Sequence, residues 1–309
     1  MKFIDQLKEK AKQNKKTIVL PETSDMRTIE AAGKVLAEGI ANIILVGDKE
    51  DIMSRAGDID LSGASFVDPK NYEKFDEYVD AFVEMRRKKG MTEARAKELL
   101  LTNPLYFGCM MVKQDDADGM VAGAINASAD VLRAALQTLK TAPGTRIVSA
   151  FFLVVVPDCQ YGANGTFVFA DAGLNQSPSA SELADIAEQS AKSFELLVDE
   201  TPVVAMLSHS TKGSAKHPDV DKVIEATEIV NAEFPDLLCD GELQSDAALV
   251  PEVAASKAPG SKVAGQANVL VFPDLDAANI GYKINKLILH RDSQRLMHMV
   301  LLHRVLQSL

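Results

Sequence analysis

Cysteine is scarce in this chain of 309 residues. Cys109, Cys159 and Cys239 are odd in number, far apart and set among apolar or small residues. That spacing argues against a disulfide framework or a thiolate metal site, and buried thiols in a reducing cytoplasm are expected. Positive charge is also short. Lys and Arg number 33 against 44 Asp and Glu, a formal net charge of -11. A nucleic-acid or anionic-membrane surface needs a dense basic face, so neither partner is expected. An anionic ligand must be held by a few local cations. Long apolar runs are missing as well: Met1 to Lys16 is too charged for a signal peptide, and no run approaches the length of a membrane span, which points to the cytosol. Finally, the chain has no Gly-x-x-x-x-Gly-Lys-Ser/Thr loop, Gly-x-Gly-x-x-Gly fingerprint, His-Glu-x-x-His or Gly-x-Ser-x-Gly elbow. Phosphate-loop enzymes, dinucleotide-binding dehydrogenases, zincins and common hydrolases all lose ground.

What is present is an ordinary globular composition, 47% hydrophobic and 25% charged, long enough for two domains. Short β-branched runs alternate with segments of helical period: "TIVLPE" before Ser24 to Glu38, "NIILVGD" before Asp51 onward, "SFVDP" before Tyr72 to Lys89. This rhythm predicts βαβ units. Runs such as Asn42 to Val46 and Val203 to Leu207 are apolar throughout, as strands covered by helices on both faces must be. The fold class expected is α/β, with two three-layer α/β/α domains and a ligand cleft between them. Ser24 is expected to cap the second helix, and Ser179 with Glu182 to form a capping box. A long strand from Ile147 to Val156, after a Pro143–Gly144 turn, is the expected crossing between domains.

Two stretches suit anions. In "AMLSHSTKGSAKH" a strand ending at Leu207 runs into Ser208, Ser210, Thr211, Lys212, Gly213 and Ser214, then a helix from about Pro218. Such a loop places short donors and free backbone N–H groups at the carboxyl edge of a parallel sheet. The alternative is a polar loop whose serines cap the next helix. In "DGMVAGAINASADVLRAALQ" a strand from Met120 to Ala122 leads through Gly123 and Asn126 to Ser128 as an N-cap, with Arg133 on the first turns beyond. Here the alternative is a surface arginine paired with Asp130. Arg86 and Arg87 end the helix "YEKFDEYVDAFVEMRRKKG", where cations also offset the helix dipole. Asp240, Glu242, Gln244 and Asp246 cluster ahead of a loop with Lys257, Pro259, Gly260 and Ser261. With no histidine among them, polar scaffolding is expected rather than a divalent metal.

These residues carry a resemblance. "LPETSDMRTIEAA", "EMRRKKG", "ADGMVAGA" with "SADVLR", "VPDCQYGANGTFVFADAG", "MLSHSTKGSAKH" and "VAASKAPGSKVAGQANVLVFPDL" with "NIGYK" resemble phosphate acetyltransferase, also called phosphotransacetylase, collinearly to about Lys283. The resemblance implies interconversion of acetyl phosphate plus coenzyme A with acetyl-CoA plus phosphate. Coenzyme A would be a substrate, with no cofactor and no metal. It implies a fold like isocitrate and isopropylmalate dehydrogenases and a homodimer. Residues 1–145 with 283–309 would form the first domain and residues 146–282 the second. Arg86 and Arg133 match arginines associated with the phosphate-bearing substrates, while Ser128, the Ser208 to Ser214 loop and Lys257 match segments lining the cleft. Phosphate butyryltransferase is the neighbouring activity.

Beyond Lys283 the pattern departs. The family continues with a segment resembling "RLAKAEAYGP…QG.A.PVNDLSRGCS", whose Asp serves as thiol base and whose Ser and Arg stabilise charge, so no catalytic residue is assigned in this chain. Residues 284–309 instead hold His290, His298 and His303, and Lys286, Arg291, Arg295 and Arg304 against Asp292 give +3. Back-translation of Leu296 to Leu309, read from the third base, gives Asp-Ala-Tyr-Gly-Pro-Val-Thr-Gln-Gly-Ile-Ala-Glu-Pro, so a reading-frame shift is expected. The alternative is a divergent helix with Leu287, Ile288, Leu296, Val300, Leu301 and Leu306 on its apolar face. On the first account acyl transfer is impaired, and a non-catalytic phosphate-binding dimer is the other outcome.

Overall fold

A computed structural model describes residues 3–141, 145–289 and 297–300. They fall into two compact units that part between Lys140 and Thr141.

The first unit begins with α1 (Phe3–Gln13), β1 (Thr17–Leu20), α2 (Met26–Glu38), β2 (Asn42–Val46), α3 (Lys49–Ala56) and β3 (Ser65–Val67). There follow α4 (Phe75–Arg86), a 3-10 turn (Arg87–Lys89), α5 (Glu93–Thr102), α6 (Pro104–Lys113), β4 (Gly119–Met120) and α7 (Ser128–Thr138). The strands form one parallel sheet in the order β3-β2-β1-β4. Strand β2 shows why its apolar run is continuous. Ile43 and Leu45 pack with Ile29 of α2 and Ile52 of α3, whereas Ile44 and Val46 pack with Phe82 of α4 and Phe107 of α6. Side chains alternate across a strand, so both faces are covered and the unit has three layers.

Local signals place these helices. Asp25, not Ser24, caps α2, accepting from the Arg27 N–H at 2.8 Å, and Gly39 closes it in a left-handed conformation (φ 67°). Both residues suit a cap, and the one whose oxygen meets the second helical N–H takes the role. Asn103 caps α6 ahead of Pro104. Helix α6 approaches the sheet through Gly108, where a Cβ would lie 2.9 Å from the Met120 sulfur. Beyond it, Asp116 accepts from Tyr72 at 3.1 Å and from Tyr78 and Lys74. Burial works against that carboxylate's charge, but the donors outweigh it and hold its pKa below the usual carboxylate range.

The second unit contains β5 (Phe151–Val155), β6 (Thr166–Ala170), α8 (Ala180–Val198), β7 (Val203–Leu207), α9 (Pro218–Glu233) and β8 (Leu238–Leu243). Then come α10 (Ser245–Leu249), α11 (Pro251–Lys257), β9 (Val269–Val271), α12 (Leu275–Leu289) and β10 (Met297–Val300). The sheet order is β10-β5-β6-β9-β7-β8, antiparallel across β10-β5-β6 and parallel from β6 to β8. The molecule is thus α/β with one parallel and one mixed sheet. The capping box of Ser179 and Glu182 opens α8 as expected.

The strand expected from Ile147 to Val156 is shorter. Side chains engage the residues ahead of Phe151 instead: Gln189 donates to the Ile147 carbonyl and Asn175 to that of Val148. Arg146 pairs with Asp185 and Glu233, which fixes the entry to this unit on α8 and α9. The residues of α12 from Ile284 to Leu289 and strand β10 lie in the second unit. The Pro143–Gly144 turn lies outside the described residues, as do 290–296 and 301–309, so most of the expected tail helix or frame-shifted segment does too. Cys109 and Cys239 are buried thiols, each pushed up to about 12 by burial, and Cys159 is partly buried. Among the described residues no helix is long and apolar enough to cross a membrane.

Candidate functional site

In the first unit, five helical segments surround a hollow of about 420 Å³. Arg86 enters it from the end of α4, Lys89 from the 3-10 turn, Arg95 from α5 and Arg133 from α7. On α5, residues Arg95, Glu98, Leu99 and Thr102 follow the i, i+3, i+4, i+7 spacing that places them on one face. Arg133 and Gln137 share a face of α7 for the same reason. Four cations thus stand against Glu98, with Met91, Leu99 and the Tyr106 ring supplying apolar wall. Tyr106 donates to Gln137 at 3.1 Å. Burial pushes its phenol pKa up, against the opposing pull of Arg133 and Arg86.

The cations have capacity left. Arg133 donates from Nη1 to Asp130 at 2.7 Å, which is the surface pairing weighed for it, yet its side chain is 59% exposed and lines the hollow. The Nε of Arg86 is buried with no hydrogen-bond partner among the described residues. Lys89 and Arg95 have no ion pair among the described residues. A buried guanidinium donor without an acceptor is unfavourable. The structure therefore brings Arg86 and Arg133 together in one hollow. Lys89 and Arg95 were not singled out from sequence, although "RRKKG" and the α5 spacing carried the signal.

Ser128 does not cap α7. It is the first helical residue, and Ala127 holds the cap position with no side-chain bond. The N–H groups ahead of it are not free either. Those of Gly123, Ala124, Ile125 and Asn126 all donate to the buried carboxylate of Glu22, at 2.6, 2.6, 3.2 and 2.9 Å.

The hydroxyl loop of the second unit has the same character. Glu242, 2% exposed, accepts from Ser210 Oγ at 2.8 Å and from the Gly213 N–H at 2.7 Å. Thr211 N–H donates to Ser214 Oγ at 3.0 Å, and Thr211 Oγ1 and the Gln244 N–H are joined at 2.9 Å. Ser210 and Thr211 are buried, whereas Ser208 is partly exposed and Lys212, Gly213 and Ser214 are exposed. Lys212 and Gly213 both adopt positive φ, 48° and 82°. That bend swings Lys212 Nζ onto Asp240 at 2.5 Å and the Gly241 carbonyl at 2.7 Å. The N–H groups of Ser208 and of Ser210 to Ser214 are therefore engaged, by serine hydroxyls, backbone carbonyls and, for Gly213, the Glu242 carboxylate. His217, through Nδ1, takes the cap of α9, while His209 is exposed.

Lys257, at the end of α11, reaches Asp246 at 2.8 Å and Gln244 at 3.1 Å. Ser261 donates to Asp240 at 2.5 Å. The acid cluster thus serves as an acceptor set for Lys212, Ser261, Ser210 and Lys257. Among the described residues no group of His, Cys, Asp and Glu is arranged to hold a metal ion.

Comparison with known proteins gives a consistent set. A family model described as phosphate acetyl/butaryl transferase matches residues 2–290. The chain is 55% identical over 286 residues to a phosphate acetyltransferase of Acetivibrio thermocellus, spanning 93% of this chain and 86% of that protein. It is 57% identical over 284 residues to one of Thermoanaerobacterium thermosaccharolyticum, spanning 92% and 86%. The crystal structure of a phosphotransacetylase from Streptococcus pyogenes superposes with a TM-score of 0.85 at 45% identity, covering 93% of this chain and 85% of that one.

Proposed function

Since this chain belongs to the phosphate acetyl/butaryl transferase family, we propose that it binds acetyl phosphate and coenzyme A for transfer of the acetyl group between phosphate and thiol. In that reaction the carbonyl carbon loses its bond to the phosphate oxygen and gains one to sulfur. The thiol proton leaves to a base, and the oxyanion formed in between needs donors. Both substrates carry phosphate, so their binding calls for cations with donors to spare.

The observation that carries this reading is the hollow that unites Arg86 and Arg133 with Lys89 and Arg95. Its charge suits a phosphate group, and its apolar wall of Met91, Leu99 and Tyr106 suits an organic one. The accessible members of the hydroxyl loop, Ser208, Lys212, Gly213 and Ser214, with Lys257, are proposed to bind acetyl phosphate. Ser210 and Thr211 shape that loop from beneath. The same premise takes the two units as the isocitrate dehydrogenase-like domain pair and the chain as a cytoplasmic homodimer.

Residues 284–309 contain no Ser-Arg pair followed by Asp. We therefore propose that binding outlasts turnover in this chain, and that acetyl-CoA forms slowly or not at all. Calorimetric titration of the purified chain with coenzyme A, beside an assay of acetyl-CoA formation, tests both parts. Saturable binding with low turnover is the expected result. Absence of binding overturns the substrate assignment, and turnover at a family-like rate overturns the impairment. Comparing acetyl with butyryl phosphate separates the two acyl classes.

A further inference from the structure

The loop between β4 and α7 has few restraints of its own. Val121 and Ile125 are 62% and 57% exposed, so apolar packing does not anchor it. Ala127 offers no side-chain cap, so α7 does not set its own starting direction. What holds the loop is Glu22, the second residue past β1, 2% exposed and 101 residues from its first partner. Its Oε2 accepts from the Gly123 and Ala124 N–H groups. Its Oε1 accepts from the Ile125 and Asn126 N–H groups and from Asn126 Nδ2 at 2.7 Å. Gly123, at φ 109°, supplies the bend that turns these N–H groups inward. Arg27, held by Asp25, adds a bond to the Ala124 carbonyl at 2.5 Å.

We infer that Glu22 is a positioning residue: its carboxylate sets the 123–126 loop, the loop sets the entry of α7, and α7 thereby delivers Arg133 to the helical hollow. The inference rests on the reading that the hollow takes a phosphate of coenzyme A. Burial works against the charge of Glu22, and the converging N–H groups outweigh it, so its pKa lies below the ordinary value. Glu22 is thus an ionised acid filling a nest of loop N–H groups, and at 2% exposure it is out of reach of ligand. Its effect on binding passes through Arg133.

A double-mutant cycle tests this on the full chain, with coenzyme A as the calorimetric probe and melting curves recorded alongside. Glu22→Gln keeps the shape but turns an amide donor toward other donors. It is expected to weaken binding about tenfold, as loss of a well-placed charged contact does. In an Arg133→Gln background the same change is expected to add less than about twofold, because coupled residues are not additive. Full additivity, or wild-type affinity in Glu22→Gln despite a lowered melting temperature, overturns the inference. If Glu22→Gln does not fold, Asn126→Ala removes the single Nδ2 bond to Glu22 Oε1, leaves the four backbone bonds in place, and is read through the same cycle. If the wild type does not bind coenzyme A, the functional reading falls by itself. Amide exchange then judges the latch: faster exchange from Gly123 into the first turns of α7 in Glu22→Gln supports it, and unchanged exchange overturns it.

Discussion

In the helical hollow of the first unit the donors are long side chains with charge to spare, whereas in the hydroxyl loop of the second they are short and already engaged. The hollow sets Arg86, Lys89, Arg95 and Arg133 against Glu98 and leaves Arg86 Nε unpartnered among the described residues. In the loop, Ser210, Thr211 and the Gly213 N–H are satisfied by Glu242, Ser214 and Gln244. A site whose donors are open has affinity to give. A site whose donors are closed has shape to give, because each of its bonds fixes the backbone. The contrast implies that substitutions in the hollow act on ligand affinity, and those under the loop act on stability.

The largest effect expected is from Arg86→Gln combined with Arg133→Gln. Hydrogen bonds to charged groups contribute about 1.5–3 kcal/mol each, so coenzyme A affinity in calorimetry should drop at least about a hundredfold. The urea midpoint should change little, since Arg86 Nε has no partner to lose. Next comes Glu242→Ala, which strands Ser210 and the Gly213 N–H. Unsatisfied buried donors cost about 1–3 kcal/mol each, and urea unfolding should show that loss with coenzyme A affinity changed less than stability. Affinity falling with no change in unfolding would erase the contrast.

A pH series sharpens it further. Glu22 and Asp116 in the first unit both have folded-state pKa values below their ordinary ones. Their contribution is fully present above the ordinary carboxylate values and is lost as pH falls through the lowered ones. Melting temperature should therefore decline on the acid side of that window, and Glu22→Gln should flatten the decline. The smallest effect belongs to Lys257→Met. Its pair with Asp246 is exposed, 40% and 49%, and such pairs contribute about 0–1 kcal/mol. Stability should hold, and any loss of acetyl phosphate affinity would assign Lys257 a binding role beyond its ion pair.

Much of the fold was legible because its signals are local. The apolar run of β2, the capping box at Ser179 and the Pro218 start of α9 each depend on residues within a few positions. The cap of α2 shifted by one residue because Ser24 and Asp25 carry the same chemistry, and only geometry chooses between them. The site was legible in part. Arg86 and Arg133 were singled out, but the hollow joins helix faces rather than strand edges, so Lys89 and Arg95 went unremarked. Glu242 was legible as part of an acid cluster suited to polar scaffolding, though not which loop it holds, and Glu22 was not legible at all. Their partners lie 101 and 29 residues away, across neighbouring strands, and nothing in the order of residues marks a carboxylate as the acceptor for a distant loop.

Amide hydrogen exchange on the full chain, with and without saturating coenzyme A, tests the division of labour most directly. Protection should rise in residues 86–102 and 128–138, around the hollow, and stay nearly unchanged at Ser208 and in residues 210–214, whose N–H groups are already bonded. Protection that rises at 208–214 while the helices around Arg86 and Arg133 remain unaffected would contradict the account.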